Sequence, residues 1–172
     1  MENQKIVAIL GAGSGGIVAA NRLRSLLPRH HRVILIDKES DHLFAPSLLW
    51  LMIGDRSPTR ISKPLRRLER KGIEVIQGEI RELNPEKRSI QVSGKIIAAD
   101  AIIIALGADY APQKIPGLLE AGHNAYTLKG ATDIRDAVKT FKGGRIVILT
   151  AAPVYKCPAA PYEAAMLVEY HC

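Results

Sequence analysis

KIVAILGAGSGGIVAANRLRSLLPRHHRVILID, residues 5–37, decides the fold. Lys5 to Leu10 is a short, nearly continuous apolar run, which suits a parallel strand buried on both faces. Gly11-Ala12-Gly13-Ser14-Gly15-Gly16 interrupts it, and a helical pattern through Ile17, Val18, Leu23, Leu26 and Leu27 runs up to Pro28. A second strand is predicted over Arg32 to Asp37, so the unit reads β-loop-α-β with a carboxylate at the tip of its second strand. The glycines satisfy G-x-G-x-x-G. The first permits a tight turn, the second lets the backbone approach a diphosphate, and the third allows the helix to pack closely on the strand. Free amides and the dipole at the helix start would face the phosphates, at about 0.3–2 kcal/mol per charge. Asp37 would accept hydrogen bonds from ribose hydroxyls. A plain βα turn with an exposed carboxylate is the bland alternative; the order strand, loop, helix, strand, acid favours a dinucleotide site. The loop alone does not separate FAD from NAD.

Working outward, residues 40–60 are irregular, with apolar Leu43, Phe44, Leu48, Leu49, Trp50, Leu51, Met52 and Ile53 around Pro46, and look like an insertion. Ser62 to Lys71 reads as a helix ended by Gly72, and Ile73 to Gln77 as the next parallel strand. Glu79 to Leu83, Ser89 to Val92 and Lys95 to Ala98 alternate weakly around Asn84-Pro85 and Ser93-Gly94, which predicts an antiparallel crossover meander. Ala101 to Leu106 is apolar throughout and predicts another buried strand, ended by Gly107. Ala131 to Phe141 is helical in pattern, Gly143-Gly144 breaks it, and Arg145 to Leu149 predicts a strand opening a second α/β unit. The expected fold class is α/β: a doubly wound, Rossmann-like domain over 1–112 with its meander, then a linker and the start of a second nucleotide-binding-like domain over 113–172.

The composition fits this reading. With 47% hydrophobic and 24% charged residues in 172, one ordinary core is feasible and disorder is not expected. No apolar run reaches the roughly 18 residues of a membrane span, and Met1 to Lys5 does not read as a leader, so a cytoplasmic protein is expected. The net charge of +7 attracts anions without selecting among them. Lys63, Arg66, Arg67 and Arg70 recur at helical intervals, which suits a solvated face more often than a membrane or partner patch. No nucleic-acid partner is expected. The five histidines show no metal-ligand spacing with the two cysteines, and no metal is expected.

Lys156-Cys157-Pro158-Ala159-Ala160-Pro161-Tyr162-Glu163 is the second informative stretch. Pro158 suits a first helical turn, which would put Cys157 at or near the cap of a helix through Ala164, Ala165, Leu167 and Val168. The helix dipole and Lys156 would both favour the thiolate, a nucleophile able to join sulfur to sulfur. A buried, inert cysteine is the alternative, and the residues alone leave both open. Glu163 could manage protons there or be a solvated helix carboxylate. Upstream, Thr150-Ala151-Ala152-Pro153-Val154 follows the predicted strand without the glycines of a second nucleotide loop, so ordinary NADH docking is not expected there.

Two resemblances sharpen these readings. The run Ala101 to Leu106 with Gly107 and Pro112 resembles the second FAD motif of flavoproteins with two dinucleotide-binding domains, although Ile97, Ala98, Ala99 and Asp100 stand where a threonine is often found. Cys157 to Glu163, together with His42-Leu43-Phe44-Ala45-Pro46-Ser47-Leu48-Leu49-Trp50, Gly54 and Arg56, resembles the sulfide:quinone oxidoreductases and the flavin subunit of flavocytochrome c sulfide dehydrogenase. The resemblance spans essentially the whole chain, which corresponds to less than half of that family's length. It implies FAD as cofactor, held by Gly11, Gly13, Ser14, Gly15, Gly16, Asp37, Lys38, Pro46 and Gly107. It further implies sulfide and quinone as substrates, and Cys157 redox-active beside the flavin with Glu163 assisting. Cys157 would pair with a cysteine from a carboxy-terminal half. Cys172 does not serve, because a helix rising ~1.5 Å per residue would separate the two by roughly 20 Å. Some members use a third cysteine ahead of this strand; Tyr126 lies about where it would be sought. Peripheral membrane contact is implied for the full-length protein, and a homo-oligomer stays open. The chain looks truncated and is expected to be inactive alone. A type II NADH:quinone oxidoreductase relative and a non-catalytic FAD-binding fragment are the alternatives.

Overall fold

The computed structural model describes residues 3–172. The chain forms two compact units, one from residues 1–42 and 63–109, the other from 43–62 and 110–172. Residues 43–62, which chain order alone would assign to the amino-terminal domain, cluster with the carboxy-terminal third. The short paired strands β3 (Asp41–Leu43) and β4 (Ser62–Pro64) carry the chain out of the first unit and back.

In the first unit β1 (Ile6–Leu10), α1 (Ser14–Leu26) and β2 (Arg32–Asp37) form as the sequence predicts. After β4 come a 3₁₀ helix (Leu65–Lys71), β5 (Glu74–Gln77), the meander β6 (Ile80–Asn84), β7 (Ser89–Val92) and β8 (Lys95–Ala98), and then β9 (Ala101–Ile104). The sheet runs in the order β5-β2-β1-β9, all parallel, with Val7 opposite both Val33 and Ala101. The central strand β1 and residues 33–36 of β2 are apolar because both faces are covered there, whereas the edge strands β5 and β9 are partly exposed. Ile9, Val33 and Leu35 pack with Ala20, Leu65 and Ile73 on one side, while Ala8, Leu10, Ile34 and Ile36 pack with Ile90 and Val92 of the meander on the other. Each such fully buried side chain contributes about 1.5–3 kcal/mol, and truncating Leu35 to Ala would cost about 2–5 kcal/mol.

One predicted helix differs. Ser62 to Lys71 is strand β4 followed by 3₁₀ helix, because Pro64 has no N–H for a helical ladder and holds an extended backbone. Gly72, at φ 83°, ends the segment as expected. Helix α1 carries its own terminator in Arg24. This buried guanidinium donates to the carbonyls of the cap residue Leu27 (2.8 Å) and of Pro28 (2.7 Å) and His31 (2.7 Å) in the loop that follows, and so ties the helix end to the turn into β2.

The second unit is helical: α2 (Leu48–Met52), α3 (Pro58–Ile61), α4 (Leu118–Ala121), α5 (Leu128–Thr140) and α6 (Ala160–His171). Leu48, Leu51, Met52, Ile61, Ala131, Ala164 and Val168 make its core. Thr127 caps α5, its hydroxyl oxygen accepting the Gly130 N–H at 3.0 Å. The strand expected over Arg145 to Leu149 is not formed. Those residues are exposed and no strand pairs with them among the described residues, and a lone β-prone segment has nothing to share its backbone hydrogen bonds with. No helix among the described residues is long and apolar enough to cross a membrane.

Candidate dinucleotide site and the cysteine turn

The first candidate site lies at the carboxyl ends of the parallel strands, where ligands of open α/β sheets bind. Gly11 leaves β1 at φ 95°, its N–H donates to the Ile36 carbonyl at 2.8 Å, and a Cβ on it would strike the Ala105 carbonyl beyond β9. A Cβ on Gly16 would run into the Gly11 carbonyl, so this glycine is required by helix-to-loop packing. Gly13 is different. It caps α1 at φ −67° and ψ −174°, a conformation open to any residue, and a Cβ there would meet no protein atom within 4 Å. The same open space surrounds Gly15. Nothing in the chain itself demands glycine at these two positions, whereas a ligand lying against the backbone would.

The carboxylate of Asp37 is tied to this loop. One oxygen accepts the Ala12 N–H at 2.5 Å, and the other accepts the Glu39 N–H at 2.8 Å. Each oxygen retains a lone pair for a ribose hydroxyl. Lys38 is exposed beside it, with its carbonyl 3.4 Å from the Gln77 side-chain amide. Gly107, at φ 73°, follows β9 and is exposed, and a Cβ there too would meet nothing. Gly11, Gly13, Ser14, Gly15, Gly16, Asp37, Lys38 and Gly107 all belong to the first unit; Pro46 lies in the second, exposed within the 3₁₀ turn Ala45–Ser47. His42 opens the family-like stretch quoted above, where no role is assigned to it. Its ring Nδ1 is 3.0 Å from the Ala12 carbonyl, a contact across 30 residues for which no local pattern codes.

The second candidate site is the turn around Cys157 in the second unit. Cys157 is exposed and sits at φ 55°. It lies outside the helix cap: Ala159 caps α6, and Pro161 rather than Pro158 occupies the first turn. The Cys157 carbonyl instead accepts the Ala160 N–H at 3.0 Å. Three side chains frame the turn. The Tyr126 hydroxyl donates to the Lys156 carbonyl at 2.6 Å, Tyr110 stacks on Tyr126 at 5.9 Å, and the Lys156 ammonium lies 4.5 Å from the centre of the Tyr110 ring. Partial burial, then the neighbouring Cys157, holds the Tyr126 phenol above its usual range, which keeps it a donor. Glu163 is exposed in the first turn of α6.

The parallel sheet, glycine loop and terminal carboxylate define a dinucleotide-binding α/β protein. The profile of the pyridine nucleotide-disulphide oxidoreductases matches residues 5–151, and the chain belongs to that family. Mouse mitochondrial sulfide:quinone oxidoreductase is 30% identical across 98% of this chain and 38% of its own length. A demethylphylloquinone reductase of Synechocystis is 27% identical across 79% of this chain and 36% of its own length. The solved structure of the sulfide:quinone oxidoreductase from Aquifex aeolicus superposes with a TM-score of 0.73 at 28% identity, over 78% of this chain and 32% of that one. The chain therefore spans between 32% and 38% of the length of these relatives. FAD is the cofactor of these flavoproteins, and the open cradle over Gly13 and Gly15 with the Asp37 carboxylate fits its diphosphate and ribose.

Proposed function

We propose that this chain is the FAD-holding part of a sulfide:quinone oxidoreductase, in which sulfide is oxidised to the sulfane level and two electrons pass to a quinone. The overall balance is one hydrosulfide and one proton with one quinone giving one sulfane sulfur and one quinol. The FAD-binding domain, over residues 1–112 in chain order, is built on the first unit, residues 1–42 and 63–109, and residues 113–172 carry the redox cysteine at the start of a second domain. Bound FAD supplies the two-electron acceptor; the chain supplies position. Gly11, Gly13, Ser14, Gly15 and Gly16 hold the diphosphate on the α1 amides, Asp37 and Lys38 face the adenosine end, and Pro46 and Gly107 border the flavin. Cys157, oxidised to a disulfide with a cysteine outside residues 1–172, is the sulfur that hydrosulfide attacks: a new S–S bond forms as the old one breaks, the other cysteine leaves as a thiolate whose electron pair passes on to bound FAD, and Glu163 takes the proton of the hydrosulfide. The turn suits such a role, because its sulfur is exposed and its backbone is fixed by Tyr126.

One observation carries the reading. Similarity to the mouse enzyme covers 98% of the chain, so it includes the stretch around Cys157 beyond residue 151, where the family profile stops. The Synechocystis relative supports a second reading, a quinone reductase fed by a nicotinamide; against it, Thr150 to Val154 contain no glycine.

The test compares anaerobic flavin bleaching by sulfide and by NADH in the full-length protein. Bleaching by sulfide that is lost in Cys157→Ser while FAD stays bound is the expected result. Bleaching by NADH alone would select the second reading, and sulfide bleaching unchanged in Cys157→Ser would remove Cys157 from the reaction. Peripheral membrane contact and a homo-oligomer are further parts of the proposal, to be read from vesicle sedimentation and from solution mass.

A further inference from the structure

The Ala12 peptide groups are gripped from both sides, and the two grips do different things. Asp37 holds the Ala12 N–H, which belongs to the Gly11–Ala12 peptide. His42 holds the Ala12 carbonyl, which belongs to the next peptide, Ala12–Gly13. A carbonyl oxygen only accepts, so Nδ1 of His42 carries the proton and donates. A trans peptide is planar with its C=O and N–H on opposite sides, and the described chain contains no cis bond. Fixing the Ala12 oxygen on His42 therefore turns the Gly13 N–H away from His42. Among the described residues, the N–H groups of Gly13, Ser14, Gly15 and Gly16 donate to no protein acceptor, and the space over Gly13 is open. We propose that His42 is a positioning residue for the cofactor: its Nδ1–H bond to the Ala12 carbonyl aims the Gly13 amide at the diphosphate of FAD.

His42 lies on β3, outside the glycine loop, and its ring is half-buried. The role rests on the family's use of FAD and not on the sulfide chemistry, so it stands or falls separately from Cys157.

The test is FAD affinity of the apoprotein by flavin fluorescence, with ADP and adenosine as additional probes. His42→Phe keeps a ring without a donor, whereas His42→Asn places an amide nitrogen where Nδ1 stood. Losing one orienting hydrogen bond should weaken FAD between about 2-fold and about 10-fold in His42→Phe. ADP, which carries the diphosphate, should weaken by the same factor, and adenosine should not change. His42→Asn should recover most of the loss, and the thermal midpoint of both apoproteins should stay near wild type. Wild-type affinity in His42→Phe, or an Asn variant as weak as the Phe variant, overturns the proposal. So does an equal loss of adenosine binding, which would mark a general disturbance of the unit. If His42→Phe does not fold, the Asn variant decides alone: affinity near wild type supports the donor role and a loss like that of a donorless residue refutes it. A wild-type protein that takes up no FAD overturns the cofactor assignment and this role with it.

Discussion

Gly13→Ala and Gly16→Ala should separate the fold's use of glycine from the ligand's. At Gly16 the new methyl meets the Gly11 carbonyl, a backbone atom that cannot rotate away. Alanine gains about 1 kcal/mol over glycine in a helix, but overpacking against backbone costs about 1–3 kcal/mol or more and shifts the loop. With the clash at the upper end of that range the net expectation is a destabilised apoprotein, by about 1–2 kcal/mol, which in a chain of this size lowers the thermal midpoint by roughly 2–8 °C. At Gly13 the signs balance differently. Replacing glycine by alanine at a helix cap costs up to about 1 kcal/mol, while restricting the unfolded chain returns about 0.4–1 kcal/mol, and no protein atom is touched. Apoprotein stability should therefore change by less than about 0.5 kcal/mol. FAD binding should not be spared, because a methyl forced into a packed contact with the diphosphate costs about 1–3 kcal/mol, or roughly 5- to 160-fold in Kd. Thermal melts of the apoproteins and FAD titrations give both numbers. A Gly16→Ala protein as stable as wild type, or a Gly13→Ala protein with unchanged FAD affinity, would refute the reasoning.

Other outcomes follow from the same geometry. Asp100 accepts the Ile6 N–H at 2.8 Å and the Lys5 ammonium at 3.0 Å, and these hold its carboxyl below the usual range. A lowered folded pKa stabilises above the unfolded value and is lost as pH falls, so the gap in thermal midpoint between wild type and Asp100→Asn should close below about pH 4. A gap independent of pH would contradict this. Arg32 and Glu74 form a paired 2.7 Å contact between β2 and β5, with the Glu74 carboxyl lowered by the guanidinium; both side chains are well exposed, so a double-mutant cycle should return no more than about 1 kcal/mol. Tyr126→Phe removes the 2.6 Å bond to the Lys156 carbonyl and should cost about 0.5–1.5 kcal/mol in denaturant melts, with faster proteolysis between residues 155 and 158. An unchanged cleavage rate would show that other contacts hold the turn.

What the sequence disclosed follows from the range of the forces involved. The β1-α1-β2 unit is written in local patterns: continuous apolar strands, three spaced glycines and a strand-tip acid, each within about thirty residues. The meander and β9 are legible for the same reason. Longer-range partners are not. Nothing in residues 43–62 says that Leu48, Leu51 and Met52 pack with Ala131 and Val168, because that choice is made by complementary surfaces far apart in the chain. Arg145 to Leu149 has strand composition, yet a strand exists only with a neighbour to pair with. At Cys157 two prolines compete to open α6; Pro161 prevails, leaving the cysteine in a left-handed turn that no propensity rule foresees. His42 was visible as a residue, but its bond to Ala12 depends on β3 returning beside the glycine loop.

A crystal structure of the protein grown with FAD tests the central claim most directly. The diphosphate should lie within hydrogen-bonding distance of the backbone amides of Gly13 to Gly16, with the adenosine ribose on Asp37. Electron density for the dinucleotide elsewhere on the protein, or a diphosphate out of reach of those amides, would contradict the account.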